Sequence, residues 1–330
     1  MNNKSLLLLL LLTACGDKDT EDTASEADTD TDTDTDTDTD TDTDTDTDTD
    51  TDVTALELSA LNKLTSRETG PYTVTATLAD SSTVDVTADA AFEVDDGDVF
   101  WVYAEGTIQP LGSGTATLTV SYGGAEATAD ITVTVDAATT GDLLINELLA
   151  DGTAEGDPNL DGSLSAIEDE FIELVNLSGQ TVDLSGVTIS EDTFPFLPRH
   201  TFAEGTELRA GEAIVVFGGG DVSALSADNA SFVLADNDDP GEAYGLSLGN
   251  DGDRVSITAA DAKTVIDSIS YGDVFGATID AVSDESLLRT PEQDASGSFG
   301  PHTDAASAIY SPGTTADGTP FGGPDAVYGR

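Results

Sequence analysis

Apolar and polar residues alternate with a period of two along much of the chain after residue 52. The first clear runs are Tyr72–Leu78, Ala116–Val120 and Ile131–Val135, and Gly, Asp or Ser bounds each of them. A period of two places the apolar side chains on one face of a strand, so each run predicts a half-buried antiparallel strand. Short strands at this spacing are typical of a two-sheet sandwich.

The alternation continues in a second group of runs beyond residue 138. Leu144–Leu148 and Phe171–Val175 predict two further short strands. Asn250–Asp253 contains an Asp-Gly pair, which supplies the positive φ that tight turns need, so a hairpin is predicted between Tyr244–Leu248 and Arg254–Thr258. The composition agrees, because Val, Thr, Ile, Gly and Asp favour strands and turns.

The first group of strands resembles the bacterial immunoglobulin-like domain, group 2. The resemblance rests on Leu56–Leu58, Tyr72–Asp80, Val84–Thr87 and, as the most diagnostic run, Gly106–Val120. It implies an immunoglobulin-like spacer or adhesion module without catalysis.

The second group of strands resembles the lamin-tail domain. The matching runs follow the strand order of that family: Leu144–Leu148, Asp169–Asn176, Val182–Ser190, His200–Phe202, Leu208–Gly218, Leu246–Val255 and Val265–Tyr271. The closing runs Ser286–Arg289, Ser311–Thr314 and Asp317–Phe321 are similar to the tail of many bacterial members. This resemblance implies an immunoglobulin-like sandwich carried by an exported protein.

The N-terminus predicts export and lipidation. Lys4 provides a positive charge, Leu6–Leu12 is an apolar run too short to span a bilayer, and Leu12–Cys15 resembles the lipobox of bacterial lipoproteins. The resemblance implies that Cys15, the chain's one cysteine, is acylated. Because Asp17 stands one place after the position typical of inner-membrane retention, we expect an outer-membrane, cell-surface location.

Strict Thr-Asp alternation follows the predicted anchor. Charge on every second residue opposes compaction and strand pairing, so this stretch predicts a disordered, extended tether. The predicted layout is a signal peptide at 1–14, an acylated cysteine and acidic tether at 15–52, a group 2 immunoglobulin-like domain at 53–137, a lamin-tail domain at 138–295 and a Gly/Pro-rich tail at 296–330. The predicted fold class is all-β, with two immunoglobulin-like β-sandwich domains in tandem behind the tether.

The net charge limits the classes of partner that the protein can bind. The formal net charge is −56, and only ten residues are Lys or Arg. Phosphate backbones and anionic lipid surfaces are bound by clustered basic residues, so nucleic acid is excluded as a direct ligand. Contact with the membrane is predicted only through the lipid anchor, and a protein or glycan partner stays open.

One stretch of the second unit predicts a calcium site. In a twelve-residue loop, positions 1, 3, 5, 9 and 12 carry side-chain oxygens: Asp157, Asn159, Asp161, Ser165 and Glu168. Position 6 is Gly162, and position 7, Ser163, offers its backbone carbonyl. This is the spacing of a calcium loop, since Ca²⁺ takes six to eight oxygens. Because the flanking runs predict strands, we expect a fixed structural site, with Leu164 and Ile167 anchoring the loop. The alternative is an acidic surface turn.

Neighbouring carboxylates are further candidate ligands. Asp169 or Glu170 is an alternative to Glu168 as the closing ligand. Glu147 and Glu173 lie one step from the apolar face of their strands, where they either lend outer-shell oxygens to the cation or stand as solvated carboxylates.

The sequence offers no clear catalytic grouping. Gly245–Gly249 matches G-x-S-x-G, but an esterase elbow lies between a strand and a helix, and this run predicts a strand leading into a hairpin. His200 and His302 are the only histidines, and each is predicted to be structural or superficial. We therefore expect a non-catalytic binding, adhesion or envelope scaffold module. The alternatives are a metal-dependent hydrolase, or an accessory module of one, with Asp157 and Asp161 in its site, and a purely structural coat protein.

Overall fold

A computed structural model describes residues 52–150, 156–191, 198–236 and 245–329. The predicted signal peptide, Cys15 and the tether up to residue 51 lie outside the described residues. The described residues belong to one compact unit, Thr49–Arg330. Among them, no helix is both long enough and apolar enough to cross a membrane.

Residues 53–134 form a β-sandwich. Its strands are β1 (Val53–Ala60), β2 (Lys63–Thr65), β3 (Gly70–Leu78), β4 (Thr83–Asp85), β5 (Ala91–Val94), β6 (Phe100–Tyr103), β7 (Thr107–Pro110), β8 (Gly114–Tyr122) and β9 (Ala125–Thr134). One sheet has the order β1-β3-β7-β6, with β4 beside β3, and the other has the order β2-β9-β8-β5. In β3 and β8 the alternate residues Val74, Ala76, Leu118 and Val120 are buried in one core between the sheets, as the period-two pattern predicts.

The part of the chain after residue 135 forms three further sheets. Its elements are β10 (Asp136–Ala137), β11 (Leu143–Leu149), β12 (Phe171–Asn176), β13 (Val182–Asp183), β14 (Thr188–Glu191), β15 (Pro198–Thr201), β16 (Glu207–Leu208), β17 (Ala213–Phe217), β18 (Ala230–Leu234), β19 (Gly252–Thr258), β20 (Val265–Gly272), β21 (Leu287–Thr290), β22 (Ser298–Pro301), a 3₁₀ turn (His302–Asp304) and α1 (Gly323–Tyr328). The sheet orders are β18-β17-β12-β11-β21-β22, β15-β14-β19-β20 and β10-β13-β16. The predicted all-β class with two immunoglobulin-like sandwiches is confirmed.

Strands β11 and β12 are buried along their whole length. One face of their sheet contributes Ile172 and Leu174 to the main core. The other face places Phe171 and Phe217 in a second cluster, with ring centroids 5.5 Å apart. Burial on both faces makes this strand pair a rigid base for the loop that joins it.

The described C-terminal segment packs on the second face of the six-stranded sheet through Phe321. Phe321 is buried against Val175 and Ala213, and the Asn229 side-chain amide donates to the Phe321 carbonyl at 2.7 Å. The Gly323 N–H donates to the Gly211 carbonyl at 3.2 Å. This segment is therefore part of the fold.

The predicted hairpin around Asn250–Asp253 is wrong. Gly252 is already the first residue of β19, which pairs with β14 and β20. Residues 245–251 form turns and coil without a strand, although Leu246 and Leu248 are buried. Their alternation came from packing into the core of the second sandwich, which does not require strand pairing.

A group of polar contacts joins the two sandwiches, and we call it the inter-sandwich seam. Both guanidinium Nη atoms of Arg67 donate to the Asp142 carboxylate, at 3.3 and 2.7 Å. Arg209 Nη2 donates to Asp98 at 2.9 Å, and the Thr181 hydroxyl donates to the Leu111 carbonyl. The seam links loops next to β2, β6 and β7 of the first sandwich to residues next to β11, β13 and β16 of the second.

Candidate metal centre

The predicted calcium loop joins β11 to β12. These strands are antiparallel neighbours in the six-stranded sheet, with Leu149 opposite Phe171 at the end from which the loop leaves. Residues 151–155 lie outside the described residues, and the liganding positions 157–168 lie within them. The loop is therefore held at its end by two buried strands.

The first half of the loop folds around the Asp157 carboxylate. That carboxylate accepts the N–H groups of Asp161 at 3.1 Å and Gly162 at 2.8 Å. The Asn159 side-chain oxygen accepts the Asp161 N–H at 3.0 Å, and Asp161 accepts the Ser163 N–H at 2.7 Å. Gly162 has φ 86°, a conformation that glycine adopts without steric penalty. These bonds gather alternate oxygens at one turn, and each carboxylate oxygen keeps a second lone pair for a cation.

Asp169 closes the second half of the loop. Its Oδ2 accepts the Ser165 N–H at 2.7 Å, and its own N–H donates to the Ser165 carbonyl at 3.1 Å. Asp169 has 0% relative exposure, and its Oδ1 has no hydrogen-bond partner within the described residues. Glu168, the closing ligand predicted from loop spacing, is exposed.

The electrostatics of Asp169 favour a cation. Burial raises the pKa of its carboxyl to about 6; the Ser165 N–H opposes this shift, and the charges of Asp157, Asp161 and Glu168 add to it. A buried carboxylate without a full set of partners is destabilising unless a proton or a cation compensates it. The unpartnered oxygen of Asp169 therefore fits an oxygen-coordinated hard cation such as Ca²⁺.

A glycine run forms the wall of the loop, and sequence reasoning missed it. A Cβ on Gly220 would lie 2.4 Å from Asn159 Nδ2 and 2.5 Å from Asp161 Oδ2. A Cβ on Gly218 would lie 1.9 Å from the Ile167 carbonyl oxygen. Three consecutive glycines directly after a buried strand were a signal of close backbone approach.

The apolar side chains of the loop do not anchor it, so that expectation is wrong. Leu164 is 64% exposed and Ile167 is 38% exposed. The anchoring comes instead from backbone bonds, because the Gly218 N–H donates to the Glu170 carbonyl at 2.8 Å and the Gly219 N–H to the Glu168 carbonyl at 3.2 Å.

The remaining candidate ligands are held by other partners. Glu170 is buried, its Oε2 accepts the Leu248 N–H at 3.2 Å, and burial raises its pKa to about 8. Glu147 and Glu173 face each other across β11 and β12. Across the described ranges, no three His, Cys, Asp or Glu side chains form a preassembled metal cluster. A cation in the loop would therefore also use Asn159, Ser163 and Ser165 oxygens.

Glu147 and Glu173 anchor the C-terminal segment in a fully buried polar network, which we call the C-terminal latch. Glu147 accepts the Ser286 hydroxyl at 2.6 Å and both the N–H and hydroxyl of Ser311 at 2.9 Å. His302 Nε2 lies 3.0 Å from the Ser311 hydroxyl, and Glu173 accepts the Gly313 N–H at 2.8 Å. Burial raises the pKa of Glu147; burial and the charge of Glu147 raise that of Glu173.

Part of the second sandwich matches a known family. Residues 136–273 match the family model of the Lamin Tail Domain. The predicted resemblance is thereby confirmed for this part of the chain, and the lamin-tail domain is an immunoglobulin-like β-sandwich, a non-enzymatic kind of domain. No curated protein matches the sequence.

Structures of an S-layer protein are also similar to the chain. SbsC domains 5–6 align at 11% identity over 65% of this chain and 94% of that chain, with a TM-score of 0.21. The S-layer protein rSbsC(31–844) aligns at 12% identity over 75% of this chain and 32% of that chain, with a TM-score of 0.22. Likeness at this level does not identify a function.

The G-x-S-x-G match at Gly245–Gly249 does not form an esterase elbow, as expected. Ser247 has φ 55° and lies in coil ahead of strand β19, whereas an elbow leads from a strand into a helix. His200 is buried against Phe202, with ring centroids 4.5 Å apart, and His302 belongs to the C-terminal latch. Both histidines therefore have structural contacts.

Proposed function

We propose that this protein is a non-catalytic, lipid-anchored surface module whose lamin-tail domain is stabilised by one structural Ca²⁺. The observation that carries the metal proposal is the unpartnered Oδ1 of fully buried Asp169, beside a loop that already gathers the Asp157 and Asp161 carboxylates. A cation at this position would compensate the buried charge of Asp169 and reduce the repulsion that Asp157 and Asp161 exert on it.

Two features support a fixed site in preference to a switch. The loop ends on β11 and β12, which are buried along their whole length. Its wall is the backbone of Gly218–Gly220, where added side chains would meet the loop. Opening such a site would disturb close packing on both sides, so the ion would stabilise one conformation.

The membrane anchor and the spacer complete the proposal. Acylated Cys15 would hold the chain at the outer membrane, and the acidic tether would extend the folded part from that surface. The first sandwich, with its resemblance to the group 2 immunoglobulin-like domain, would act as a spacer. A binding, adhesion or scaffold role at the cell surface fits these parts.

Calorimetric titration of the full chain with Ca²⁺, and with Mg²⁺ for comparison, tests the metal proposal. We expect one stoichiometric site that prefers Ca²⁺, above weak background from the tether. The matched control is the Asp161→Ala variant, which keeps the tether and should lose only the stoichiometric site. Identical titrations of the two proteins would overturn the ligand assignment.

A further inference from the structure

The C-terminal latch contains three short polar contacts that follow one another through His302 and Ser311. His302 Nδ1 lies 2.8 Å from the Ala308 carbonyl oxygen, and His302 Nε2 lies 3.0 Å from the Ser311 hydroxyl oxygen. The same hydroxyl oxygen lies 2.9 Å from Glu147 Oε2. Each distance is that of a hydrogen bond, so each contact requires one hydrogen atom between its two heavy atoms.

An imidazole, a hydroxyl and a carboxylate supply one hydrogen too few for these three contacts. A neutral imidazole carries one N–H, a hydroxyl carries one O–H and a carboxylate carries none. Because the Ala308 carbonyl can only accept, the imidazole N–H belongs at Nδ1. The Ser311 hydroxyl can then donate to His302 or to Glu147, and the remaining contact would bring two lone pairs together. One additional proton is therefore needed, on Glu147 Oε2 or on His302 Nε2.

The network is too deeply buried for bulk water to solvate that remaining contact. Glu147 and His302 have 0% relative exposure, and Ser311 has 9%. Glu147 Oε1 already accepts the Ser286 hydroxyl at 2.6 Å and the Ser311 N–H at 2.9 Å. Two buried acceptors that face each other without a hydrogen are both unsatisfied, which is destabilising. The closed latch therefore retains the additional proton, whereas water can solvate the same groups once the latch opens.

The charged groups around Glu147 also favour a proton. Glu173 lies directly opposite Glu147 on β12. Glu292, in the turn after β21, accepts the Asn146 side-chain amide at 3.3 Å, and Glu173 accepts the same amide at 2.9 Å. His302 Nε2 lies 4.0 Å from Glu147 Oε1. Burial raises the pKa of Glu147, and burial together with the charge of Glu147 raises that of Glu173. A proton in this cluster reduces the repulsion among its carboxylates.

We propose that one buried proton, shared between Glu147 and His302, closes the C-terminal latch, and that loss of this proton at alkaline pH releases residues 302–321 from the sheet. Without the proton, the contacts of Glu147 with the Ser311 hydroxyl and of Ser311 with His302 cannot both form. The latch is then a pH-sensitive clasp on the tail, and it depends neither on Ca²⁺ nor on the lipid anchor.

Above about pH 6.5 the closed latch binds one proton more than the open latch. Solvent-exposed Glu and His side chains titrate near pH 4.3 and pH 6.5, so the open pair holds one proton between these values and none above them. The closed pair holds one proton in both ranges. The equilibrium constant for opening should therefore be nearly constant below pH 6.5 and rise about tenfold for each pH unit above it, until the closed pair itself loses the proton.

Nitrogen-15 NMR of the imidazole rings of the full chain locates the protons. His200 and His302 are the only histidines, so the His200→Gln variant assigns both rings. At pH 8 we expect a proton on His302 Nδ1, and a second proton on either its Nε2 or the Glu147 carboxyl, which carbon-13 NMR detects. A neutral His302 with its proton on Nε2, or an ionised Glu147 beside a bare Nε2, would overturn the proposal.

Cleavage by chymotrypsin at Tyr310 measures release of the tail, because Tyr310 packs against the cluster of Phe171 and Phe217 when the latch is closed. The cleavage rate of the full chain is divided by that of a free peptide of residues 303–321 at the same pH, which removes the pH dependence of the protease. This ratio should rise about tenfold per pH unit between pH 7 and pH 9. A flat profile in wild type would contradict the proposal without any variant.

Two carboxylate-to-amide variants separate the proton from the rest of the latch. In Glu147→Gln an amide N–H replaces the proton toward the Ser311 hydroxyl oxygen, so cleavage at Tyr310 should no longer depend on pH. Glu285→Gln is the matched control: Glu285 accepts the Thr303 N–H at 2.8 Å, outside the three contacts, and its variant should keep the wild-type pH dependence. A wild-type slope in folded Glu147→Gln, or a flat profile in Glu285→Gln, would show that the proton lies elsewhere.

Discussion

Asp169 is a carboxylate whose burial opposes its charge. Its carboxyl is fully buried, one oxygen is bound by Ser165 and the other has no partner within the described residues. Loop spacing alone favoured Glu168, because twelve-residue loops close at their last position. In the structure, the turn at Ser165 instead buries the carboxylate of the residue that follows Glu168, Asp169.

We expect Asp169→Asn to remove most of the Ca²⁺-dependent rise in melting temperature. The amide still accepts the Ser165 N–H but lacks the charge, so the metal-free protein should melt at or above the wild-type temperature. Ca²⁺ at about 100 times its Kd stabilises a folded protein by about 2.7 kcal/mol, which sets the size of the lost gain. Thermal unfolding with Ca²⁺ and with EDTA measures both values.

Glu168→Gln is the matched control, since it removes the neighbouring exposed carboxylate by the same chemical change. It should keep most of the Ca²⁺-dependent gain. If Glu168→Gln loses the gain and Asp169→Asn keeps it, the closing ligand is Glu168 and our assignment is wrong.

His200 predicts a pH dependence of stability. Burial lowers its folded pKa from 6.5, against the opposing charge of Asp236. The unfolded chain therefore binds the proton more readily, so the contribution of His200 to stability is present above about pH 6.5 and is lost as the pH falls below it. The buried carboxylates with raised pKa values act in the opposite direction, so a difference between two proteins is needed.

The measurement is the unfolding free energy of wild type and His200→Gln between pH 8 and pH 5. Wild type should lose more stability than the variant over this interval. Parallel pH profiles would show that His200 is not kept neutral by the fold.

At the scale of elements, the C-terminal latch explains how a Gly/Pro-rich tail becomes part of a sandwich. Glu147 and Glu173 belong to neighbouring strands, and between them they accept hydrogen bonds from Ser286, Ser311 and Gly313. Two buried carboxylates on adjacent strands require such donors. The tail supplies two of them, Ser311 and Gly313.

Ser311→Ala should loosen this segment. The change removes a buried hydroxyl that binds both Glu147 and His302, and a carboxylate that loses a buried partner costs about 1–3 kcal/mol. We expect a lower unfolding free energy by that amount and faster proteolysis after residue 302. Ser307→Ala, at an exposed position of the same segment, should match wild type. Equal proteolysis of the two variants would contradict the role of the latch.

The alternation of apolar and polar residues predicted the strands that have one buried and one exposed face. β3, β8 and β9 follow it, because their threonines lie outside a single core. β11 and β12 were also found as strands, but the burial of Glu147 and Glu173 was not predictable, since it depends on a tail more than 130 residues away. The false hairpin at Asn250 arose because buried coil at Leu246 and Leu248 has the same period as a strand.

At the scale of the whole molecule, contacts between residues far apart in the sequence determine the features that the sequence alone did not predict. The candidate metal loop was proposed from its own spacing, whereas its wall comes from Gly218–Gly220 after β17. The C-terminal latch likewise joins Glu147 and Glu173 to residues far along the chain and could not be predicted from either segment alone. Local patterns therefore predict which elements form, and packing of remote segments determines which sites they build.

The inter-sandwich seam yields a prediction about how firmly the two sandwiches are joined. Arg67 holds Asp142 through two hydrogen bonds, and Asp142, at 6% exposure, also accepts the Thr139 N–H at 2.7 Å. A double-mutant cycle with Arg67→Ala and Asp142→Asn should give a coupling energy of about 0.5–1 kcal/mol.

The Arg209–Asp98 pair is the matched comparison within the same seam. Its charged groups are 2.9 Å apart, but Asp98 is 78% exposed in its side chain, so solvent and salt screen the attraction. The same cycle there should give a coupling near zero. The two pairs differ in the burial of Asp142. Equal coupling energies would therefore mean that the Arg67–Asp142 pair does not stabilise the contact between the sandwiches.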